Sequence, residues 1–337
     1  MRSLMSAVLI ILLIAFIGLG IFYFWGSSAG TDQSGYYRIL RYTDAPQVKK
    51  DTFTILTYNI GYMSGLSNNR DTSVTRDFYA ANLARACQLI SELAPDFAGF
   101  QEIDFNSHRS FHINQLDTLG RKAGYRFGAM AVNWDKRYVP FPYWPPSVHF
   151  GRILSGQAVL SQDDILENRV EILPKPASNP FYYNAFYLDR LIQECTIHLA
   201  GGKKLLLFNV HFEAYDPETR ETDSELLLQY LSQIPDSVPY LVMGDFNSRP
   251  PYKNVTGNKE NTIRKLLDYG LEPAIIESEY LKDPSSYYTF SSRAPVEMID
   301  YIFFDPMRIV RIDAHVIRGA GEISDHFPLL MKFIIKK

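Results

Sequence analysis

Cysteine is scarce in this sequence. Its 337 residues include only Cys87 and Cys195, so at most one disulfide can form and a disulfide framework is excluded. Cys87 falls on the apolar side of a predicted helix, together with Leu83 and Ile90, and Cys195 falls in a predicted strand. These positions predict two separate buried thiols. A disulfide between them stays open if the domain is exported, because sequence spacing does not measure distance in the fold.

An excess of basic residues is also missing. The chain has 34 Lys and Arg against 37 Asp and Glu, which gives a formal net charge of −3 and a sequence pI of about 6.2. Proteins that bind nucleic acid without sequence preference use positive charge to neutralise phosphates. The totals therefore exclude a general basic field, although a local basic patch would not show in them.

Charged residues are absent from Leu4 to Trp25. About 20 apolar residues span the hydrocarbon core of a bilayer, so this segment predicts a transmembrane helix. Arg2 and the α-amino group precede it, and no Lys or Arg follows before Arg38. The bias of positive charge toward the cytoplasm places the N-terminus inside and the rest of the chain outside. We therefore expect a single-pass anchor with an extracytoplasmic domain.

Two alternatives to an anchor are open for this segment. A cleaved signal peptide would use Ser27-Ser28-Ala29 as an acceptable cleavage site, and the domain would then be secreted. The apolar run is longer than the roughly 7–15 residues of most signal peptides, which favours the anchor. A helix buried in a core is disfavoured by the terminal position and by the lack of a polar face.

The remaining chain predicts one linker and one domain. Residues 26–50 are polar, with Gly and Ser early, and predict a flexible tether. Residues 51–337 alternate strand and helix patterns without an internal repeat or a low-complexity tract. The predicted strands are 53–59, 97–103, 155–161, 205–211, 240–243, 298–304 and 328–335, and the predicted helices are 77–93, 114–123, 224–234 and 261–269.

An aromatic segment, Trp134 to Phe150, interrupts this pattern. It contains Tyr138, Phe141, Tyr143 and Trp144 together with four prolines. Proline removes a backbone donor and fixes φ, so a stiff loop is expected. The loop either packs on its own domain or faces a substrate or a lipid surface.

Six polar clusters follow or begin predicted strands. A single Asp or Asn at a strand end is usually a turn residue, and a single His is usually structural, so the combination and order of the clusters are what indicate a site. Strand ends belong to a rigid sheet that can aim side chains into one cleft. The clusters are Asn59, Gln101-Glu102, His211, Gly244-Asp245-Phe246-Asn247, Asp300-Tyr301 and Ser324-Asp325-His326.

In this order, the six clusters resemble the endonuclease/exonuclease/phosphatase superfamily, the fold of DNase I, exonuclease III, sphingomyelinases and inositol polyphosphate 5-phosphatases. The resemblance runs from about Asp51 to the C-terminus. It implies an α/β fold, a four-layer α/β/β/α sandwich of two sheets, here preceded by one transmembrane helix. It also implies a phosphoester hydrolase that uses Mg²⁺, with Mn²⁺ as a substitute.

The resemblance also implies roles for the cluster residues. Glu102 and Asp325 would face the metal, and Asn59 would assist it or orient Glu102. His326 would act as general base with Asp300 holding its ring, although Asp245 could instead take the proton of the attacking water. Asn247 and His211 would donate hydrogen bonds to phosphate oxygens.

No subfamily fits the motifs cleanly. A His at position 211 is found in the DNase I, sphingomyelinase and 5-phosphatase groups but not in exonuclease III-like enzymes. Tyr301 and Met243 depart from the 5-phosphatase pattern. The expected function is a membrane-anchored, exported, monomeric Mg²⁺-dependent phosphodiesterase that acts on a phospholipid headgroup or another envelope phosphoester. The alternatives are an exported DNase I-like nuclease and a catalytically silent, membrane-tethered binding module.

Overall fold

Two mixed β-sheets pack face to face in the computed structural model, which describes residues 2–68, 70, 72, 74–252 and 260–336. Met1 and Lys337, at the ends of the predicted anchor and domain, lie outside these residues. The helices are α1 Arg2–Ser27, α2 Arg76–Leu93, α3 Gln115–Lys122, α4 Phe181–Phe186, α5 Pro217–Leu231, α6 Thr262–Asp268 and α7 Glu277–Tyr280. The strands are β1 Ile39–Arg41, β2 Thr52–Asn59, β3 Phe97–Asp104, β4 Phe127–Val139, β5 Gly151–Ser161, β6 Asp164–Ile172, β7 Leu191–His198, β8 Lys204–His211, β9 Tyr240–Asp245, β10 Glu272–Pro273, β11 Asp300–Phe304, β12 Ile309–Val316 and β13 Leu329–Ile335.

The sheet order confirms the predicted two-sheet α/β fold. One sheet has seven strands in the order β1-β4-β5-β3-β2-β13-β12, and the other has six in the order β10-β11-β9-β8-β7-β6. Each sheet has one central parallel pair, β2 with β3 and β8 with β9. These four strands are almost entirely buried, as expected for strands covered on both faces. Their carboxyl ends meet at one edge of the sandwich.

A buried amide network joins the two sheets beneath that edge. Gln101 donates through Nε2 to Oδ1 of Asn209 at 2.6 Å. The amide nitrogen of Asn209 donates in turn to the backbone carbonyls of Phe100 and Ala158, both at 3.1 Å. Buried polar groups are costly unless they are bonded. This network therefore fixes how the sheet that carries Glu102 sits on the sheet that carries His211.

Helix α5 begins earlier than the sequence pattern predicted. The expected start was Ser224, but the helix begins at Pro217. Asp216 caps it by accepting hydrogen bonds from the backbone N–H groups of Glu218 and Thr219, and proline is favoured at the first helical position. The Asp-Pro pair was therefore a helix-start signal that the apolar periodicity missed.

Part of the predicted linker, residues 26–50, packs on the domain. Ile39–Arg41 forms β1 and pairs with β4 at the edge of the seven-stranded sheet. Asp135 accepts hydrogen bonds from the backbone N–H groups of Gly30 and Thr31, at 3.0 and 2.9 Å. The segment thus lies along the domain, because each of these polar groups finds a partner on β4.

The predicted aromatic loop is also shorter than expected. Trp134 to Val139 belongs to β4, so the connecting loop covers only residues 140–150. Trp134, Val139 and Phe150 are buried in a small apolar cluster with Ile153 and Leu188. Tyr143 and Trp144 remain 68% and 77% exposed. One part of the segment therefore packs on its own domain and the other part faces outward.

Helix α1 is long and apolar enough to cross a membrane over Leu4–Ser27, although a signal sequence would pass the same test. None of its most apolar stretch is buried in the protein. Its end packs on the domain, since the ring of Phe22 lies 5.8 Å from that of Tyr138 and 6.3 Å from that of Phe186. The two cysteines are buried and unpaired, which confirms the expected separate thiols.

Replacing Gly244 with alanine should destabilise the fold strongly. Gly244 has φ +151°, and a Cβ there would lie 1.9 Å from the carbonyl oxygen of Val210 on the neighbouring strand. Relief of this clash must separate β8 from β9, and we expect a loss of about 3 kcal/mol or more in unfolding free energy. Gly319→Ala is the matched control, since nothing lies within 4 Å of its Cβ position. Equal melting temperatures for the two variants would contradict the close approach.

Candidate active site

A cleft of about 1180 Å³ opens at the edge where the parallel strands end. Six of the eight predicted site residues line this cleft: Glu102, His211, Asp245, Asn247, Asp325 and His326. The other two, Asn59 and Asp300, lie behind them and are hydrogen-bonded to Asp245 and His326 respectively. The eight residues therefore meet in one place.

A β-bulge aims Glu102 into the cleft. The pairing of β3 with β5 shifts register between Phe100 and Ile103, and Glu102 has a left-handed φ of +51°. A bulge can turn a side chain out of the regular alternation, and such strain is common at functional sites. The carboxylate accepts a hydrogen bond from Nδ2 of Asn68 at 2.7 Å. Asn68 was not among the residues predicted from sequence.

Asn59 connects two carboxylates. Its Nδ2 donates to Asp245 Oδ2 at 2.9 Å and lies 3.4 Å from Glu102 Oε1. Its Oδ1 accepts the backbone N–H of Gly61 at 3.1 Å. The amide oxygen is therefore turned toward the backbone, and the amide nitrogen is the group of Asn59 that faces Glu102 and Asp245.

Asp300 and His326 form a buried pair. Nδ1 of His326 lies 2.9 Å from Asp300 Oδ2, and its Nε2 lies 3.8 Å from Asp245 Oδ2. Asp300 reaches this position because it is the cross-strand partner of Asp245 in β11 and β9. The pairing with Asp300 leaves Nε2 as the nitrogen directed toward Asp245.

The charges of this group are strongly coupled. Burial opposes a charge on His326, but the carboxylates of Asp300 and Asp245 together raise its pKa well above the ordinary value. Burial, followed by the nearby Asp300, raises the pKa of Asp245 to about 7. Burial and then Asp325 raise the pKa of Glu102. The site therefore carries more buried negative charge than its own cations neutralise.

His211 is held by an arginine that the sequence patterns did not indicate. Nη1 of Arg190 lies 2.6 Å from His211 Nε2. A guanidinium only donates, so Nε2 accepts and the ring is neutral with its proton on Nδ1. Burial and then Arg190 lower the pKa of His211 well below its ordinary value. The expected hydrogen bond from His211 to a phosphate is therefore not available at Nε2.

Arg190 supplies the positive charge instead. It lines the cleft although its residue is only 4% exposed. Nη2 donates to the hydroxyl of Tyr187 at 3.2 Å, and Nε lies 3.5 Å from Glu213 Oε2. Arg190 directly precedes β7, and Leu191 in that strand pairs with His211 on the antiparallel β8. Only the strand pairing brings the two ends together.

Asn247 lines the cleft in a strained conformation, with φ +49°. One N–H of its amide donates to the carbonyl oxygen of Phe212 at 3.0 Å. Its backbone N–H donates to Asp245 Oδ1 at 2.9 Å. Since a carboxamide nitrogen carries two hydrogens, one remains for a bound anion.

Among the described residues of the site, one group of three side chains and one pair of carboxylates could hold a metal ion. The ligand atoms of Asp245, Asp300 and His326 all lie within 4.8 Å of one another, but Nδ1 of His326 is already bonded to Asp300. Glu102 and Asp325 are the better fit. Their oxygens are hard ligands, and neither makes an ion pair with Arg or Lys within the described part of the chain. A cation between them would relieve the repulsion that raises the pKa of Glu102.

A buried carboxyl outside the cleft, that of Asp223, lies near Arg190. Asp223 Oδ2 accepts the backbone N–H of Glu213 at 3.0 Å, while Oδ1 has no hydrogen-bond partner among the residues that the structure describes. Burial raises the pKa of Asp223 to about 7. The folded protein therefore binds a proton here between about pH 4 and pH 7 that the unfolded chain releases.

Asp223→Asn should stabilise the protein at pH 8 and not at pH 4. The pKa of this carboxyl is higher in the folded than in the unfolded protein. The free energy of unfolding therefore falls as pH rises from the unfolded to the folded value. Asparagine does not titrate, so the variant avoids this loss. At about 1.4 kcal/mol per pKa unit, the relative gain should be on the order of 2–4 kcal/mol. Thermal melting at the two pH values measures it. A variant whose advantage is independent of pH would show that Asp223 does not titrate in this range.

Comparison with known protein families agrees with the resemblance indicated by the order of the six clusters. The sequence profile of the Endonuclease/Exonuclease/phosphatase family matches residues 56–326. No curated protein sequence matches the chain.

Solved structures show the same fold. An endonuclease/exonuclease/phosphatase from Beutenbergia cavernae is similar with a TM-score of 0.61 and 17% identity, over 85% of this chain and 72% of that one. The catalytic domain of human Nocturnin with bound sulfate gives a TM-score of 0.58 and 17% identity, over 89% and 98%. A mannosyl-6-phosphatase from Bacteroides thetaiotaomicron gives 0.56 and 17%, over 84% and 99%. At these identities the similarity establishes the fold alone.

Proposed function

Because this chain belongs to the endonuclease/exonuclease/phosphatase family, we propose that it is a metal-dependent phosphodiesterase held at a membrane by α1. Its substrate class would be phospholipid, cleaved at the headgroup phosphodiester on the outer side of the membrane. The observation that carries the proposal is the cleft itself, where Glu102 and Asp325 face the coupled group of Asp245, Asp300 and His326. We expect the protein to act as a monomer, since these residues all come from one chain.

Glu102 and Asp325 would hold the ion, with Mg²⁺ as the natural metal and Mn²⁺ as a substitute. Asn59 and Asn68 would keep the Glu102 carboxylate in place through the hydrogen bonds described above. When bound, such an ion neutralises the negative charge of the phosphoryl group in the transition state.

The protein groups would divide the remaining tasks. Asp245 and His326 would position a water and accept its proton as one unit, with Asp300 fixing the imidazole through Nδ1. Arg190 and the free amide hydrogen of Asn247 would contact the non-bridging phosphate oxygens. His211 would then act as a positioning residue for Arg190 through the 2.6 Å contact.

The position of the domain supports a lipid substrate. Residues 26–50 lie along the domain and the end of α1 packs on it, so the cleft stays beside the membrane if α1 spans it. Among the residues that the structure describes, seven carboxylates and three guanidiniums line the cleft. A polyanionic nucleic acid is therefore disfavoured, because its binding requires excess positive charge.

A substrate panel on the full-length protein in nanodiscs tests this proposal. The panel would contain phosphatidylcholine, sphingomyelin and phosphoinositide vesicles, plasmid DNA, RNA and the monoester p-nitrophenyl phosphate. We expect release of a phosphorylated headgroup from at least one lipid, abolished by EDTA and restored by Mg²⁺. Cleavage of DNA without lipid hydrolysis would favour the exported nuclease. Folded protein without activity on any substrate would favour the silent binding module.

A further inference from the structure

We propose that the apolar side of the cleft binds the acyl-chain region of a membrane lipid that has moved partly out of the bilayer along the end of α1. This inference rests on the proposed function, which supplies the phosphodiester, and it assigns the part of the substrate that lies beyond the phosphate. A phosphate and its headgroup need only the polar side. About 1180 Å³ of cleft is more than most small-molecule sites provide.

The apolar side is built by two segments. One is the end of β4 with the loop after it, and the other is α4 with the residues that follow it up to Leu188. Together they form a wall of aromatic and aliphatic side chains that begins next to Arg190. The wall consists of Val139, Phe141, Tyr143, Tyr182, Phe186 and Leu188.

Phe186 connects this wall to α1. It lines the cleft, and its ring stacks on that of Phe22 with centroids 6.3 Å apart and an interplanar angle of 20°. The ring of Tyr23 meets the same side chain edge-on at 5.9 Å. The apolar wall is therefore in direct contact with the last turns of the helix through Phe186.

Exposed aromatic side chains surround this junction. Phe24 and Trp25 lie at the end of α1, while Phe181 and Tyr182 project from α4. Aromatic residues of this kind concentrate where a membrane meets water. With α1 in the bilayer, the mouth of the apolar wall would lie at the interfacial level. An acyl chain could then remain partly in the bilayer while its phosphate reaches the polar side.

A nucleic acid is the main competing occupant, because bases also stack on aromatic rings. The same cleft is also lined by Glu218, and by Glu221, which pairs with Lys265. Carboxylates in the cleft repel a phosphate backbone but do not affect an uncharged chain. A soluble polynucleotide would also gain no binding energy from an apolar wall that contacts a membrane helix.

A series of alkyl p-nitrophenyl phosphates tests the proposal with the full-length protein in nanodiscs. Methyl, butyl and octyl esters present the same phosphodiester and leaving group, and they differ only in chain length. Burial of a methylene favours binding roughly fourfold. We expect kcat/KM to rise at least tenfold from the butyl to the octyl ester in the wild-type protein, mainly through KM.

Exposed residues of the wall provide variants that should fold. Tyr143 and Tyr182 are 68% and 58% exposed and line the cleft, so Tyr143→Ser with Tyr182→Ser should flatten the chain-length dependence and leave the methyl ester unaffected. Trp144→Ser is the matched control, since Trp144 is 77% exposed and does not line the cleft. Partition of the esters into the nanodisc is the same for each protein, so differences between variants report the cleft.

The possible results separate the two proposals. If the wild-type protein does not hydrolyse the methyl ester, the proposed function is wrong. If it hydrolyses all three esters equally, or if the double variant keeps the same chain-length dependence as Trp144→Ser, the acyl-chain site is wrong and the phosphodiesterase stands. A single-stranded thymidine oligonucleotide that is cleaved with a higher kcat/KM than the octyl ester would assign the wall to nucleobases instead.

Discussion

Asp245→Asn and His326→Ala should each lower kcat on bis-p-nitrophenyl phosphate by about 10²–10⁴-fold. The two side chains lie 3.8 Å apart through His326 Nε2 and Asp245 Oδ2, and both depend on Asp300. When two groups act together on one chemical step, removing either group removes most of the contribution of both. The double variant should therefore be little slower than the slower single variant, while KM changes much less than kcat.

A matched surface pair controls for this result. His315 and Asp313 form the same contact, with Nδ1 to Oδ2 at 2.9 Å, but on an exposed strand. His315→Ala should leave the rate unchanged. Losses that multiply fully in the double variant would show that Asp245 and His326 act on separate steps.

Glu102→Gln should have the second large effect, a loss of activity of at least about 100-fold at limiting Mg²⁺. The change keeps the shape of the side chain but removes the charge that faces Asp325, so the metal is held less tightly and excess Mg²⁺ or Mn²⁺ should restore part of the rate. Without metal, the same variant should melt at a higher temperature than the wild-type protein. Its buried carboxylate has a raised pKa because of burial and Asp325, and the neutral amide avoids that repulsion.

An exposed glutamate gives the comparison for this variant. Glu322 pairs with Arg293 on the surface, and Glu322→Gln should change neither the rate nor its dependence on Mg²⁺. A Glu102→Gln enzyme with wild-type turnover at limiting Mg²⁺ would remove Glu102 from the metal site.

Much of this site follows from sequence because it rests on regular strands. Asn59, His211 and Asp245 each end a strand whose apolar pattern is plain, and parallel pairing places such ends at one edge. Glu102 was also found, but the bulge that aims it depends on how β3 pairs with β5. Periodicity within one strand contains no such information.

The parts that the sequence did not predict depend on contacts between distant segments. Arg190 enters the site only because β7 runs antiparallel to β8, and its hydrogen bond occupies Nε2 of His211. Residues 26–50 looked like a tether because they are polar, yet Asp135 and the edge of β4 bind the backbone of Gly30, Thr31 and Ile39–Arg41. In both cases the partner lies far away in sequence, so local composition could not identify it.

Hydrolysis of bis-p-nitrophenyl phosphate with and without EDTA is the most direct test of the central claim. The full-length protein should release p-nitrophenolate in the presence of Mg²⁺, stop on addition of EDTA, and recover when Mg²⁺ is returned in excess. Asp325→Asn, like Glu102→Gln, should shift the Mg²⁺ concentration for half-maximal rate upward. Hydrolysis that continues unchanged in EDTA, or a folded protein that never releases p-nitrophenolate, would contradict a metal-dependent phosphodiesterase.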